Sequence, residues 1–360
     1  MLIVVKKSIL VAPLDWGLGH ATRCIPIIRE LLNAGYEVLI AADGQTKILL
    51  LGEFPYITIL SLKGYQINYS KTKKSLFFKL LFQIPKVLAA IKYEHQWLKR
   101  TLKEHKIDLV LSDNRYGLYS NNIPSVFVTH QLRIQAPFFA GVLQRINYRY
   151  INRFSECWVP DEKTEPGLAG RLSHPFKKPQ VPLKYIGSLS RFAAQESTKD
   201  EEHLLILLSG PEPQRTILEK KLIKELEDYT APVFFIRGLP GHDEKIKATP
   251  NIKVLNHLPA NQLEEAMRRS FMIIGRSGYS SVMDIMKLQK KSILIPTPGQ
   301  TEQEYLAEHL LSNQLAYCVA QKDFNLKDAL QEASSFSYRA YTTDDRALKK
   351  AVGELTEYLL

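Results

Sequence analysis

The chain has 360 residues, 45% of them hydrophobic and 24% charged, with three cysteines and a formal net charge of +11. That length suits two domains of ordinary size, and the composition belongs to a chain that builds a core, which excludes wholesale disorder. Cys24, Cys157 and Cys318 lie far apart at no metal-ligand spacing, so neither a disulfide framework nor a zinc site is supported and a reducing cytosol is the natural compartment. Met1 to Val5 followed by Lys6 and Lys7 does not have the layout of a signal peptide. No stretch reaches the roughly 18 uninterrupted apolar residues of a spanning helix. The charge is unevenly placed: residues 1–180 carry 25 Lys and Arg against 13 Asp and Glu, whereas residues 181–360 carry 23 against 24. The first half should therefore face something anionic: nucleic acid, an acidic membrane surface or a phosphorylated substrate.

In chain order, Ser8–Ala12 reads as a buried parallel strand, Cys24–Ala34 as the helix after it, closed by Gly35, and Glu37–Ala41 as the second strand. Tyr56–Leu60, Leu109–Leu111, Ser125–Val128 and Glu156–Val159 are further strand candidates. Leu76–Glu104 has helical periodicity, interrupted near Pro85. After the polar stretch Ala193–His203 a second alternation begins. Its strands are Leu204–Leu208, Pro232–Ile236, Ile252–Leu255, Phe271–Ile274 and Ser292–Ile295, with helices over Thr216–Leu226, Gln262–Arg269 and Ser281–Leu288. Short apolar strands alternating with helices imply parallel sheets. The expected fold class is α/β: two Rossmann-like domains, 1–188 and 189–342, with parallel sheets facing across a cleft. A closing amphipathic helix at 343–360 is expected to pack back on the first domain.

Asp15-Trp-Gly-Leu-Gly-His-Ala-Thr-Arg23 follows the first strand. Gly17 and Gly19 permit a tight turn and close approach of a ligand to backbone. This is not the dinucleotide fingerprint, because Thr22 stands where the third glycine belongs. His20 at the carboxyl edge of a parallel sheet points toward the ligand crevice, where an imidazole is the usual base near neutral pH; a helix-capping histidine is the plainer alternative.

In the second half, Leu208-Ser-Gly-Pro-Glu-Pro-Gln-Arg215 is a strand end, a small-residue turn and a helix start. Gly275-Arg-Ser-Gly-Tyr-Ser-Ser281 offers a run of backbone N–H groups at a helix start, which holds a diphosphate without requiring a metal. Asp284, in that helix, is placed to accept hydrogen bonds from ribose hydroxyls. Ile295–Ala307 then brings amide and carboxylate side chains, Glu302 and Gln303 among them, to grip sugar hydroxyls.

Together these segments resemble the family 28 glycosyltransferases, of the peptidoglycan N-acetylglucosaminyltransferase kind, as a distant relative. The resemblance runs through Gly17-Leu-Gly-His20, through Arg276-Ser-Gly278 with an acidic residue eight positions on at Asp284, and through Gly299–Glu304 with Gln303 on the family's glutamine. Asp284 stands in place of the family's ribose-binding Glu, and Leu306-Ala307 in place of Asn-Ala. The resemblance implies the GT-B fold and a nucleotide diphosphate-sugar donor of the UDP type. It also implies donor contacts from Gly17, Gly19, Arg276, Ser277, Gly278, Tyr279, Ser280, Asp284, Glu302 and Gln303. Ser209, Gly210 and Arg215 are expected to line the diphosphate from the facing turn, the alternative for Arg215 being a helical arginine beside a solvent-exposed loop; Leu258 is grouped with them. Plant-type enzymes of the same architecture set a strand-end Asp against the N-terminal His, and Asp113 after Leu109–Leu111 resembles that partner. Its alternative is a turn or helix-capping aspartate.

Between Lys63 and Lys106 stand eleven basic residues against Glu94 and Glu104, interleaved with Leu76, Phe77, Phe78, Leu80, Leu81, Phe82, Ile84, Val87 and Leu88. This pattern fits a segment lying on an anionic membrane, or else core aromatics beside solvated lysines. No nucleic-acid module is recognisable. The expectation is an inverting transfer in which His20, oriented by Asp113, deprotonates the acceptor hydroxyl. The acceptor is lipid-linked or an envelope glycan, met in the cytoplasm or at the inner face of the membrane. No Asp-x-Asp pair occurs, so no metal and no other cofactor is expected. A nucleotide-sugar 2-epimerase and a non-catalytic, membrane-associated donor-binding subunit are the alternatives.

Overall fold

The computed structural model describes residues 6–65, 73–136, 139–192, 202–210, 212–244, 246 and 249–359, with backbone alone for 73–84. Among the described residues the chain forms two compact units: Met1–Ile67, Phe82–Leu189 and Thr343–Leu360 in one, Asn68–Leu81 and Ser190–Thr342 in the other.

The first unit is built on β1 (Ser8–Pro13), α1 (Leu18–Asn33), β2 (Glu37–Ala42), α2 (Gly44–Glu53), β3 (Thr58–Ser61), α3 (Lys73–Glu104), β4 (Leu109–Asp113), β5 (Ser125–Val128), α4 (Ala140–Ile151), β6 (Glu156–Val159) and β7 (Leu183–Tyr185). Its strands lie in the order β3-β2-β1-β4-β5-β6-β7, every neighbour parallel. All six residues of β1 are buried, as a central parallel strand covered on both faces requires. Leu10, Ala12, Leu39, Ala41 and Val110 pack on one face against Trp97 and Leu98 of α3.

The second unit contains β8 (His203–Leu207), α5 (Gln214–Glu225), β9 (Val233–Ile236), β10 (Ile252–Leu255), α6 (Ala260–Arg268), β11 (Ser270–Gly275), α7 (Tyr279–Lys287), β12 (Ser292–Leu294), α8 (Thr301–Ser312), β13 (Tyr317–Cys318) and α9 (Leu326–Ser335). Its sheet, β10-β9-β8-β11-β12-β13, is again parallel throughout. Leu204, Ile206, Phe235, Met272, Ile274 and Ile293 form its core with Leu218 and Leu222 of α5. The chain closes with α10 (Arg346–Gly353) and α11 (Thr356–Leu359). These lie on the first unit, where Tyr358 donates to Glu156 and Lys184 pairs with both Glu156 and Glu354.

In both sheets the chain reverses direction beside its first strand, so β1 and β4 are neighbours, as are β8 and β11. Connections leaving such a pair run to opposite sides and open a crevice at the carboxyl ends, the usual ligand position in α/β sheets.

Several elements differ from the sequence expectation. The first helix begins at Leu18, not Cys24, because only Gly17 has a positive φ (+85°) and Gly19 continues as helix. Pro85 does not divide the long helix: α3 runs unbroken over 32 residues with the proline inside. The ring removes one N–H from the helix ladder, and the Ile91, Trp97 and Leu98 packing of the following turns holds it. β3 starts at Thr58, since Tyr56 is fully exposed. The closing segment is two short helices, divided at Glu354 and Leu355. α2, α4, β7, β13 and α9 have no counterpart in the sequence expectation. The side chains of Leu76, Phe77, Phe78, Leu80, Leu81, Phe82 and Ile84, like those of Lys71, Lys73, Lys74 and Lys79, lie outside the described residues.

Candidate active site

The crevice of the first unit is formed by the ends of β1 and β4. Pro13 pairs in register with Asp113, and the Leu14 amide donates to the Asp113 carbonyl at 3.0 Å. Gly17 then takes the left-handed φ that a side chain would strain, and α1 starts at once. His20 and Arg23, three residues apart, share one helix face. His20 Nδ1 lies 3.1 Å from Asp113 Oδ2. Arg23 Nε donates to both oxygens of the same carboxylate at 3.1 and 2.9 Å, and Nη2 also bonds Oδ1. Arg23 Nη1 lies 3.0 Å from His130 Nδ1, two residues past β5, and Nη2 lies 2.8 Å from His20 Nδ1. Asp113 and Arg23 are buried, whereas the His20 side chain keeps 17% of its surface.

Burial, reinforced by the Arg23 charge, lowers the His20 pKa against the pull of Asp113. Burial alone would push the Asp113 carboxyl up, but Arg23 and His20 hold it at about 2. An imidazole that stays neutral, is braced by a carboxylate and is partly open can take a proton near neutral pH. Asp113 is thus no helix cap: it is the last residue of β4 and its carboxylate is committed to His20 and Arg23. Neither Arg23 nor His130 was singled out by the sequence, which placed Arg23 in the turn before the expected helix, where an arginine ordinarily reads as surface.

In the second unit, Ser209 and Gly210 follow β8 and Arg276–Gly278 follow its neighbour β11. Gly210 has a φ of +104° with open space where a side chain would stand. α7 begins on Gly278 with no side-chain cap, and its N-terminal end carries the positive pole of the helix dipole. Gly278 and Ser280 are half-buried, and Tyr279 is buried.

Several of the expected donor-site side chains are engaged with the protein itself. Arg276 is buried, its guanidinium donating to the carbonyls of Gln214, Ile295 and Pro296. Burial lowers its pKa to about 10. It ties its own loop to the start of α5 and to the segment after β12. Arg215 is buried between Glu212 and Glu219, both at 2.6 Å, so its charge is already matched. Gln303 spends its amide inside its own loop, accepting from Thr297 N at 2.9 Å and donating to Gln300 at 2.6 Å. The Ser277 hydroxyl donates to the Gln303 carbonyl at 2.8 Å. Leu258 is buried and supplies packing, while Glu302 is half-buried at the start of α8.

Asp284 is the sixth residue of α7, not the fourth of a later-starting helix, and it is buried. It accepts from Ser190 Oγ at 2.7 Å and pairs with Arg191 Nε at 3.3 Å. Burial raises its pKa, with Arg191 and Ser190 opposing. Arg191 also lies near enough to His257 to add to the burial that lowers that imidazole's pKa. Arg191, missed in the sequence, therefore brings a positive charge into the set around α7. Among the described residues, no group of three or more His, Cys, Asp or Glu side chains is placed to hold a metal ion, and no helix is long and apolar enough to cross a membrane.

Residues 214–358 match the Glycosyltransferase family 28 C-terminal domain. An uncharacterized glycosyltransferase of Methanosarcina acetivorans is 24% identical over 313 residues, covering 80% of this chain and 79% of that protein. The UDP-N-acetylglucosamine--N-acetylmuramyl-(pentapeptide) pyrophosphoryl-undecaprenol N-acetylglucosamine transferase of Clostridium tetani is 22% identical over 296 residues, covering 77% and 75%. Among solved structures, the glycotransferase of kitacinnamycin superposes with a TM-score of 0.64 at 16% identity over 98% of this chain and 95% of its own. The spinosyn rhamnosyltransferase SpnG with thymidine diphosphate bound gives 0.62 at 13% over 98% and 96%. MurG of Acinetobacter baumannii gives 0.54 at 14% over 98% and 95%.

Proposed function

The chain is a glycosyltransferase of the GT-B fold with a family 28 C-terminal domain, and from that premise we propose that it moves a hexose or N-acetylhexosamine from a UDP-type donor to a hydroxyl of a lipid-linked or envelope acceptor, with inversion. The observation that carries this reading is the His20–Asp113 pair at the switch point of the first sheet, 3.1 Å apart, with His20 alone of the two partly open. In the proposed step the acceptor oxygen attacks the anomeric carbon and its proton passes to His20 Nε2. The bond from that carbon to the diphosphate breaks, and the diphosphate leaves with the electron pair. The positive end of α7 offsets the charge on the leaving group, and the step as proposed uses no metal. The Clostridium relative is named for a UDP-linked sugar donor, which supports uracil as the base.

A surface of the first unit supports an anionic membrane as the place where the acceptor is met. No Asp or Glu occurs from Asn114 to Ser155. On α4, Val142 and Ile146 are exposed beside Arg145 and Arg149. Phe139 at the start of α4 and Phe176 are 68% and 95% exposed. Arg145, Arg149, Lys177 and Lys178 line a hollow of about 430 Å³. Exposed apolar side chains among cations with no carboxylate match the requirements of an anionic lipid surface.

The test is a screen of radiolabelled nucleotide-sugars against total membrane lipid extract, with free nucleotide diphosphate release as a second readout. A labelled lipid product from a UDP-sugar is expected. Sugar rearrangement without acceptor would identify an epimerase, and binding without turnover a donor-binding subunit; either result would overturn the reading.

A further inference from the structure

We propose that Arg23 is a positioning residue for His20: its guanidinium, clamped on Asp113 and set against both His20 and His130, fixes the carboxylate in place and keeps the imidazole neutral at working pH. The catalytic consequence rests on the reading of His20 as the base, but the charge balance does not.

A His–Asp pair by itself favours the imidazolium, since an opposite charge at hydrogen-bond distance stabilises the cation. A base already protonated in the resting enzyme is lost to catalysis. At this sheet edge the carboxylate is matched before the imidazole meets it. Arg23 Nε spans both Asp113 oxygens, at 2.9 and 3.1 Å, and Nη2 adds a further bond to Oδ1. This forked arrangement is one that Lys, a single rotating point charge, does not reproduce.

The groups facing His20 are few and come from three elements. Asp113 comes from the end of β4, Arg23 and Cys24 from α1 itself, and His130 from the segment after β5, linked through Arg23 Nη1. The Cys24 thiol is pushed well up by burial and carries no charge. One fixed anion and one fixed cation therefore stand beside the imidazole and oppose each other, so that burial, with Arg23, sets the direction and lowers its pKa. The helix period makes the arrangement possible, because a residue three positions after His20 returns to the same face of α1 at the level of the β4 carboxylate. Burial of the guanidinium makes it durable: Arg23 is 2% exposed, so solvent does not screen its charge.

The test is NMR titration of the full chain labelled at histidine, with His20→Gln used to assign the signal. The method needs neither donor nor acceptor. In the parent protein His20 is expected to titrate below the ordinary histidine range. Arg23→Gln should move its midpoint to higher pH, and Arg23→Lys, which keeps the charge and loses the fork, should move it by less. Three results overturn the proposal: a parent midpoint at or above the ordinary value, a folded Arg23→Gln protein with an unmoved midpoint, or an Arg23→Lys midpoint displaced as far as that of Arg23→Gln. If Arg23→Gln does not fold, the parent titration and the lysine variant decide alone. Once a transfer assay is in hand, the acid limb of its pH profile should move with the His20 midpoint. An NMR shift with an unmoved acid limb leaves Arg23's role standing and removes His20 as the base, so the two readings fail separately.

Discussion

Replacing Asp113 with Asn keeps the shape of the side chain and deletes its charge. In the parent, the carboxylate accepts from Arg23 Nε at 2.9 and 3.1 Å and from Nη2, both groups out of solvent, and it faces His20 Nδ1 at 3.1 Å. The variant leaves Arg23 as a buried cation beside an amide, and removing one partner of such a pair costs about 3–5 kcal/mol. Acid gives a second handle on the same interaction. The fall of the Asp113 pKa from 3.8 to about 2 corresponds to roughly 2 kcal/mol of stability by proton linkage. Because the folded pKa is the depressed one, that contribution is present above about pH 4 and is lost as pH falls through about 2. Protonation returns the smaller figure because it leaves the geometry and some of the hydrogen bonds in place. Trp16, Trp97 and Trp158, the three tryptophans of the chain, all lie in the first unit, so their fluorescence in urea reports this unit by itself. Asp113→Asn should lower the urea midpoint strongly at pH 7, and the gap to the parent should narrow as the pH is taken below 4. Equal midpoints at pH 7, or a gap indifferent to acid, would refute the account of this cluster.

His20→Ala should lower transfer by about two to four orders of magnitude, the usual worth of a general base, while calorimetry finds nucleotide affinity close to the parent's. Loss of nucleotide binding with turnover retained would reverse the assignment. Asp284→Ala removes the acceptor of Ser190 and the ion-pair partner of Arg191, so thermal unfolding of the second unit should shift by about 1–3 kcal/mol; an unmoved transition would mean that the pair is not formed in solution. Exchanging Phe176 for Ser together with Lys177 and Lys178 for Glu should release the protein from anionic vesicles, each charge being worth about 1 kcal/mol near the surface. These side chains are exposed, so the melting temperature should hold, and a collapse in stability would count against a lipid-facing role. Chelator at millimolar concentration should leave transfer unchanged, and loss of activity restored by a divalent cation would show that the diphosphate needs a metal.

The two parallel sheets were legible in the sequence because their inner strands are buried on both faces and so appear as unbroken apolar runs, such as Ile9–Ala12 and Leu204–Leu207. The glycine turn and His20 were legible for a related reason: a parallel strand that ends in glycine and passes into a helix delivers the next side chains to one sheet edge. Local pattern failed where a residue's partner is distant along the chain. Arg276, Arg215 and Gln303 sit in polar loops that look ready for a ligand, yet each spends its donors on protein groups brought in by packing. Arg23 looks like a surface residue until β4 is laid beside β1 and its strand-end carboxylate arrives on the same helix face. Pro85 reads as a breaker, and packing of the turns that follow it keeps α3 whole. Sequence by itself thus determined the inner strands of both sheets and which sheet edges hold small and ionisable residues, while elements such as α2, α4 and α9 appear only in the structure. Strand order and register, which join residues some ninety positions apart, decided which buried charges meet and which side chains remain free to act.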